Sequence, residues 1–499
     1  MSLHLDAVQR CKNYGVDPST GFKSQYVIGR PGALWVPGMT ELTLNKFALF
    51  HGDALRPSAL HDDKGRLFGV FFGTGVDRDG AVVTADRLAR FNSRGRNFEK
   101  DLESYISGIA GRFILILDAG TKTRLYRDPM GHMPLFYNAK TKLAGSSISL
   151  ALDHAIAGNP ACAQPGIDPS ATISVFPMGQ TADTDTRLLP GHHMLNLADM
   201  TAHRYWPARN SIRKVTASKS GPVIDRIAAR LRTVVQNWIA ADDVVLPLDR
   251  SAGTRILLAA AGENRAGLSQ ITVLQPGRED DAATLSVAQM MADIAGVTLT
   301  PLTREDAIAT MGTSKDLRLM RKRVFWLRTS SAMRVRTEVA LAMDALHPTQ
   351  HIVLNAAGLD ALQGGWQAGT PKAKPIRGSH SAELTAAIGR KPDKALRDVV
   401  EDHYTTWKSS LPKSLQDTPE DFIRIELHEP AKAVVTLGQA DHVHASPFSD
   451  PEVIELALKL PLSMRAGPDF AEALIAALDP ALAGLPYDGA AQELAEAAE

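Results

Sequence analysis

Strands and helices alternate along the second half of the chain, and this alternation limits the fold more than any other feature. The strand-like segments are Val244–Leu248, Gln270–Leu274, Val297–Thr300 and His351–Asn355, and the helical ones include Arg255–Glu263 and Ala282–Ala295. Strands that alternate with helices predict a parallel sheet covered on both faces. Because such sheets bind ligands at the carboxyl ends of their strands, the turn from Leu248 to Thr254 is the first place to expect a site.

The first half of the chain has a different pattern, made of short apolar segments separated by turns. They are Leu67–Gly73, Ala81–Thr84, Arg112–Leu117, Thr123–Tyr126 and Pro134–Tyr137. This pattern predicts a layered, β-rich domain. The polar stretch Ala208–Gly221 lacks apolar periodicity and indicates a linker, whereas Ile224–Trp238 has helical spacing. We therefore predict two domains, residues 1–207 and 222–499, and a length of 499 residues is enough for two cores.

Charge and cysteine content argue against several classes of function. Lysine and arginine total 55, as do aspartate and glutamate, so no net field attracts nucleic acid or an anionic membrane. No uncharged apolar stretch approaches the roughly 18 residues of a membrane helix, and the first ten residues lack a signal-type apolar core. Cys11 and Cys162 are too few for a disulfide framework and fit a reducing compartment. We expect a cytoplasmic protein that binds neither nucleic acid nor membrane.

Several segments of the first half resemble the glutaminase domain of the glutamine-dependent asparagine synthetases. Arg127–Tyr137, which reads RDPMGHMPLFY, is similar to that family's RDRLGxKPLYY segment. Gly111–Phe113 resembles the family's GxF segment, and Leu188–His192 and Arg204–Trp206 resemble its LPPGH and YW segments. The order and the spacing of these segments agree with the family.

The second half carries two further resemblances to the same family. Leu354–Trp366, LNAAGLDALQGGW, resembles LSGEGADELFGGY, and Pro447–Asp450 with Leu460–Pro461 resembles its PFLD and LP segments. The resemblance implies an α/β protein with two parts. The first is an N-terminal layered, β-rich, glutaminase-like domain of the N-terminal-nucleophile type, and the second is a C-terminal parallel-sheet domain like the ATP pyrophosphatases.

Positions that carry chemistry in that family differ here. The resemblance implies an N-terminal cysteine as the glutaminase nucleophile, but this sequence has Ser2, and a disordered start is the simpler interpretation. It also implies an SGGxDS loop that holds the pyrophosphate of ATP and its magnesium. The corresponding residues are Asp249, Arg250, Ser251, Ala252, Gly253 and Thr254, followed by Arg255.

The replacements in this loop disfavour nucleotide binding. Asp249 stands where the family has serine, and Gly253 stands where it has aspartate. A carboxylate about 4 Å from a phosphate charge is repelled by about 4 kcal/mol near a protein surface, which corresponds to about a thousandfold in affinity. Arg250 and Arg255 could offset this repulsion if they point inward.

The second loop of the expected site is also changed. Asp360 is kept, but the acidic partner that the resemblance implies beside it is Ala361. Gly358, Gly364 and Gly365 are kept, which indicates a backbone turn preserved for folding. The family's lysine after PFLD has no counterpart, because Ala466–Leu474 contains Asp469 and Glu472 but no lysine.

Three other features have both a functional and a structural interpretation. His442 and His444 could aim two imidazoles at one metal, but no third ligand follows from the sequence, so we predict no metal site. The pair His192–His193 belongs to a structural turn in the simpler interpretation. Lys315–Arg328 is a basic amphipathic helix that could meet an acidic partner, with a solvated helix face as the alternative.

Two hypotheses follow. The first is a non-catalytic homologue with degenerate glutaminase and ATP sites that regulates or scaffolds a partner, such as an active paralogue. It has no confidently assigned catalytic residue or cofactor. The second is a divergent ATP-dependent amide-forming ligase without glutaminase activity, which would use ATP and Mg²⁺. The resemblance leaves a homodimer open.

Overall fold

The computed structural model describes residues 5–32, 34–91, 95–119, 122–159, 162, 176–207, 212–274, 281–302, 315–329, 352–364, 380–388, 391–437 and 442–485. Ser2 and Gly365 lie outside these ranges. So do residues 208–211 of the expected linker.

Two six-stranded antiparallel sheets form from the first 204 residues of the described chain. The strands are β1 Tyr26–Gly29, β2 Thr40–Thr43, β3 Ala48–His51, β4 Ser58–His61, β5 Leu67–Val76, β6 Ala110–Ala119, β7 Lys122–Arg127, β8 Phe136–Asn138, β9 Leu143–Gly145, β10 Thr186–Leu188, β11 His193–Asn196 and β12 Thr201–Arg204. Their orders are β10-β8-β9-β1-β3-β2 and β12-β11-β7-β6-β5-β4. The prediction of a β-rich first half is confirmed.

The two sheets face each other across one apolar core. Tyr26 and Leu49 from the first sheet meet Phe72 and Ile114 from the second. The opposite face of the second sheet is also buried, because Phe113 and its same-face neighbours belong to the core shared with the second half of the chain. The whole run of β6 from Ala110 to Asp118 is therefore buried, with no solvent-facing alternation.

A five-stranded parallel sheet forms in the second half, as the alternating pattern predicts. Its strands are β13 Val244–Pro247, β14 Leu268–Leu274, β15 Leu299–Leu302, β16 Ile352–Leu354 and β17 Val443–Ala445, in the order β15-β14-β13-β16-β17. All four neighbouring pairs are parallel. Chain order reverses at β13, so the carboxyl ends of β13 and β16 flank the crevice where sheets of this type bind ligands.

Helices cover these sheets. They are α1 Asp6–Tyr14, α2 Pro18–Gly21, α3 Ala85–Ala89, α4 Phe98–Ile106, α5 Gly221–Ala241, α6 Ala252–Ala261, α7 Asp281–Ala295, α8 Lys315–Thr329, α9 Leu359–Gln363, α10 His380–Ile388, α11 Lys394–Ser410, α12 Lys413–Gln416, α13 Glu420–Phe422, α14 Glu429–Thr436, α15 Pro451–Lys459, α16 Leu462–Arg465 and α17 Pro468–Leu478, with a π-helix at Ile423–His428. Among the described helices, none combines the length and apolar character needed to cross a membrane.

The basic helix α8 packs on the first half of the chain, although it follows the predicted domain boundary. Arg328 is buried and donates hydrogen bonds to the carbonyls of Gly21 and Thr20 at 3.0 Å. Leu327 joins the apolar core formed by α1, α2 and the first sheet. Arg328 and Leu327 in its last turn therefore pack on the first half of the chain, whereas Trp326 is exposed. The side chains of Arg318, Arg321 and Lys322 are not among those that the structure describes.

Several predicted bounds are corrected. Ala81–Thr84 is not a strand, since only an isolated bridge joins Val82 to Val76. The helix expected from Arg255 begins at Ala252, because Ser251 caps it by accepting a hydrogen bond from the Thr254 N–H. Helix α1, immediately after residues 1–4, is a structure that the sequence pattern did not predict.

Candidate functional site

The two loops expected to form the site meet at the reversal point of the parallel sheet. The loop after β13 leads into α6, and the loop after β16 leads into α9. A Cβ placed on Gly253 would lie 2.6 Å from the Cβ of Ala356. An aspartate at position 253 therefore does not fit while Ala356 is present. Gly253 and Ala356 are therefore matched in size across the two loops.

The carboxylate of Asp249 turns back into its own loop. Its Oδ1 accepts hydrogen bonds from the Ser251 N–H and from the Thr254 hydroxyl, both at 2.8 Å. The Thr254 hydroxyl is also 3.1 Å from the Asp249 carbonyl oxygen. An N–H group and a hydroxyl next to a helix N-terminus are typical donors to a phosphate. Here an internal anion occupies them.

Arg250 and Arg255, which could have offset the charge of Asp249, differ in burial. Arg255 is 1 % exposed, and its Nη1 donates to the carbonyl of Leu485 at 2.7 Å. This guanidinium therefore ties α6 to the end of the described chain. Arg250 is half-buried.

The second loop has the backbone that its glycines imply. Gly358 and Gly364 have φ values of 91° and 79°, in the left-handed region. A Cβ on Gly358 would lie 2.2 Å from the Sδ of Met130, and one on Gly364 would lie 2.8 Å from Leu462. Both glycines allow close packing, and at Gly358 the neighbour comes from the first half of the chain.

Asp360 pairs with a lysine that the sequence did not single out. Its Oδ2 lies 3.3 Å from the Nζ of Lys432, and the same ammonium is 3.7 Å from Glu429. The pKa of Lys432 is raised, first by the charge of Glu429 and then by Asp360, against the effect of burial. Burial disfavours the Glu429 carboxylate, but Lys432 and His132 outweigh burial and hold the pKa of Glu429 below its ordinary value. Lys432 is therefore a charged ammonium beside the second loop.

The segment that lacks the family's lysine forms α17. Asp469 and Glu472 are exposed there. The nearest preceding cation, Arg465, is fully buried and donates to Asp421 at 2.8 and 3.0 Å and to the Leu362 carbonyl at 2.7 Å. It fixes α9 against α16 and is not available at the crevice.

The histidine pairs belong to the packed interior. His192 is fully buried, 3.5 Å from Glu426, and its neighbour His193 contacts the Gly191 carbonyl. His442 and His444 flank Val443 in β17. Among the residues that the structure describes, no group of three or more His, Cys, Asp or Glu side chains is placed to hold a metal ion.

The segments that carry the family resemblance converge at the contact between the two halves. The Gly111 N–H donates to the Ser449 carbonyl at 2.9 Å, and the Ser449 hydroxyl lies 3.3 Å from an oxygen of Asp128. Asp450 pairs with Arg230 at 2.6 Å, and Arg230 also donates to the Asp77 carbonyl at 2.7 Å. These segments join the antiparallel sheets to the parallel one.

A buried carboxylate forms a second connection between the halves. Glu426, in the π-helix, accepts two hydrogen bonds from Arg204 of β12 and one at 2.8 Å from the indole N–H of Trp407. Burial opposes its ionisation, but Arg204 and His192 lower its pKa to about 2. It is therefore ionised at neutral pH.

Gly358→Ala is expected to lower the free energy of unfolding by about 2–4 kcal/mol, because it combines left-handed strain with a clash. Urea unfolding measures this change. In a Met130→Ala background the cost of Gly358→Ala should fall to about 1 kcal/mol, since only the backbone strain remains. An unchanged cost in that background would contradict the Met130 contact. Gly296→Ala is the control, with φ 66° and no atom within 4 Å of its Cβ.

Sequence reasoning missed Ala356, Lys432 and Glu426. The sequence shows that residue 356 is small and that Glu429 and Lys432 are spaced to pair on a helix. It does not show that Ala356 faces Gly253 or that Lys432 reaches Asp360. Glu426 carried no signal, because its partners lie on β12 and α11.

Comparisons with known proteins add little. No protein-family model matches the chain, and no curated protein matches it. Among solved structures, one described as the allosteric regulatory enzyme of purine biosynthesis matches 60% of this chain and 79% of its own, at 13% identity and a TM-score of 0.24. Glutamine phosphoribosylpyrophosphate amidotransferase from B. subtilis, complexed with ADP and GMP, matches 80% and 91%, at 12% identity and a TM-score of 0.23. With TM-scores this low, neither likeness indicates a function for this chain.

Proposed function

We propose that this chain is a non-catalytic, asparagine-synthetase-like protein that binds and regulates or scaffolds a partner protein, such as an active paralogue. Its two parts, residues 1–207 and 222–499, are joined by contacts of the segments that resemble a synthetase. The groups that would activate a carboxylate with ATP are absent or engaged elsewhere.

One observation carries this proposal. The Asp249 carboxylate is held at 2.8 Å by the Ser251 N–H and the Thr254 hydroxyl. A nucleotide phosphate would have to displace this carboxylate and then tolerate its charge nearby. ATP and Mg²⁺ therefore do not fit the loop as it stands. Asp360 adds a single carboxylate already paired with Lys432, a poor basis for a magnesium site.

The distribution of kept and changed residues supports the same proposal. Ser449 and Gly358, which match the family pattern or lie within its segments, contact the first half directly. Asp450 acts through Arg230, which it pairs with and which donates to the Asp77 carbonyl of the first half. Asp249, Gly253 and Ala361, which depart from the pattern, lie at the crevice. The features retained are those that a scaffold needs.

The test is to rebuild the loop. Wild-type protein should give no heat of binding with millimolar ATP and Mg²⁺. The triple variant Asp249→Ser, Gly253→Asp, Ala356→Gly removes the internal anion, restores the carboxylate and makes room for it. We expect it to bind ATP in the micromolar to millimolar range, a gain of about a hundredfold or more from the relieved repulsion.

The double variant that leaves Ala356 in place is the matched control. It should gain less, because a Cβ at position 253 would stand 2.6 Å from that methyl group. If the wild-type loop binds ATP tightly and the triple variant binds no better, the proposal fails.

Lys432 favours a second candidate, the ATP-dependent amide-forming ligase without glutaminase activity. Its ammonium lies 3.3 Å from Asp360, where a cation could stabilise charge on a phosphate or an acyl group. This candidate requires AMP and pyrophosphate to form from ATP in the presence of a carboxylic acid. Formation of both, abolished by Lys432→Met, would establish the ligase and overturn the first proposal.

A further inference from the structure

A cavity of 230 Å³ lies where the antiparallel sheets meet the amino ends of the parallel strands. One wall comes from the first half of the chain, including Arg56, Thr74 and Arg112. The other wall comes from Asp242, Ile352 and His442. It is at the opposite end of β16 from the crevice described above, so it is separate from the loops at Asp249 and Gly358.

Arg112 is the buried cation of this cavity. It is 7 % exposed, and two of its nitrogens are engaged: Nε donates to the His132 carbonyl at 3.2 Å and Nη2 donates to the Leu437 carbonyl at 3.3 Å. Within the described ranges Nη1 has no acceptor. Asp128 acts on this guanidinium through its charge, but no described carboxylate lies within salt-bridge distance of it, and a buried guanidinium is costly unless an acceptor reaches it. The lining therefore contains a positive charge with spare donor capacity.

Two further groups of the lining can donate hydrogen bonds to an anion. The hydroxyl of Ser24 lines the cavity, is buried, and has no hydrogen-bond partner among the described residues. Arg56 is exposed at the mouth. Burial is the main cause that lowers the pKa of nearby His444 to about 3, and the charge of Arg112 acts in the same direction. Among the lining residues that the structure describes, Asp242, exposed at the mouth, is the one carboxylate.

We infer that this cavity binds a small organic acid, with a carboxylate held by Arg112 and Arg56 and its carbon chain against Val83 and Met133. The volume corresponds to roughly eight water-sized groups, which suits a short mono- or dicarboxylate. Guanidinium groups bind carboxylates through paired, charge-assisted hydrogen bonds. Because both halves of the chain line the cavity, the acid stabilises their contact. This inference does not depend on the proposed function, since it concerns different residues.

The probes are succinate, its uncharged analogue succinamide, and inorganic phosphate, each titrated calorimetrically into the full chain. We expect saturable binding of succinate at one site, a rise in Tm with succinate concentration, and no binding of succinamide. Binding of phosphate without succinate would overturn the organic-acid assignment. Absence of binding by succinate at millimolar concentration, or equal binding of succinamide, would overturn the site.

Variants locate the binding without disturbing the fold. Arg56→Gln should weaken succinate by about tenfold, the effect of one hydrogen bond to a charged group. Ala54→Phe, which fills the cavity from its half-buried rim, should abolish binding. Arg30→Gln, at an exposed arginine outside the lining, should leave it unchanged. If both Arg56→Gln and Ala54→Phe bound succinate as tightly as the wild type does, succinate would bind elsewhere and the inference would be contradicted.

Discussion

Replacing Glu426 by glutamine is expected to lower the free energy of unfolding by about 3–5 kcal/mol, the usual cost of removing one partner from a buried ion pair. Arg204, 6 % exposed, would keep its charge and lose its carboxylate. The Trp407 indole N–H would keep only a neutral acceptor. Because these groups join β12 to the π-helix and α11, the two halves should separate more easily. Urea unfolding monitored by tryptophan fluorescence measures the change.

The matched control is Glu455→Gln, which removes a half-buried pair with Lys459 one helical turn away on α15. A pair of this kind contributes about 0–1 kcal/mol. A similar cost for both substitutions would contradict the role assigned to Glu426. The difference in unfolding free energy between the wild type and Glu426→Gln should also become smaller in acid. The folded pKa of about 2 lies below the ordinary 4.5, so the contribution is full above about pH 4.5 and disappears as the pH falls through about 2.

Mild acid is expected to destabilise the protein through three histidines, of which His193 and His428 are buried and His444 is half-buried. Burial is the first cause that lowers the pKa of His193 to about 3, of His428 to about 4 and of His444 to about 3, from an ordinary 6.5. The unfolded chain takes up protons below pH 6.5, whereas the folded chain does not until about pH 4. Stability is therefore lost as the pH falls between these values, by up to about 1.4 kcal/mol per pH unit for each histidine.

Urea unfolding at several pH values between about 7 and 5 tests this slope. His428→Gln keeps a donor for the Ala387 carbonyl, which His428 contacts at 3.1 Å, and removes one titrating group. It should reduce the slope by about 1.4 kcal/mol per pH unit. His203→Gln, at an exposed histidine on β12, should leave the slope unchanged. A stability that is constant over this range would show that the three imidazoles are accessible to protons in the folded state.

Periodicity predicted the parallel sheet and α5 because these elements bury long apolar runs. Val244–Pro247 and the stripe on α5 must face a core in any fold. Helix α1 and strands β1 to β4 escaped the same reasoning. β2, for example, is largely exposed, and α1 buries only one side of a short polar segment. Short segments such as these acquire their structure from tertiary contacts.

The chemistry of the expected site was only half predictable. The resemblance implied a serine at the position of Asp249, but the hydrogen bonds of Asp249 with Ser251 and Thr254 depend on the loop's backbone. Lys432 and Asp360 are 72 residues apart, and nothing in either segment indicates their pairing. Residue types follow from the sequence, whereas the partners of each charge follow from the fold.

Calorimetric titration of the full wild-type chain with ATP and Mg²⁺ tests the central claim most directly. The Asp249 carboxylate occupies the donors that a phosphate needs, so we predict no heat of binding at millimolar ATP, while succinate added to the same sample still binds. Dissociation constants in the micromolar range for ATP would mean that Asp249 leaves the loop and that the site is a working nucleotide site, which would contradict the account.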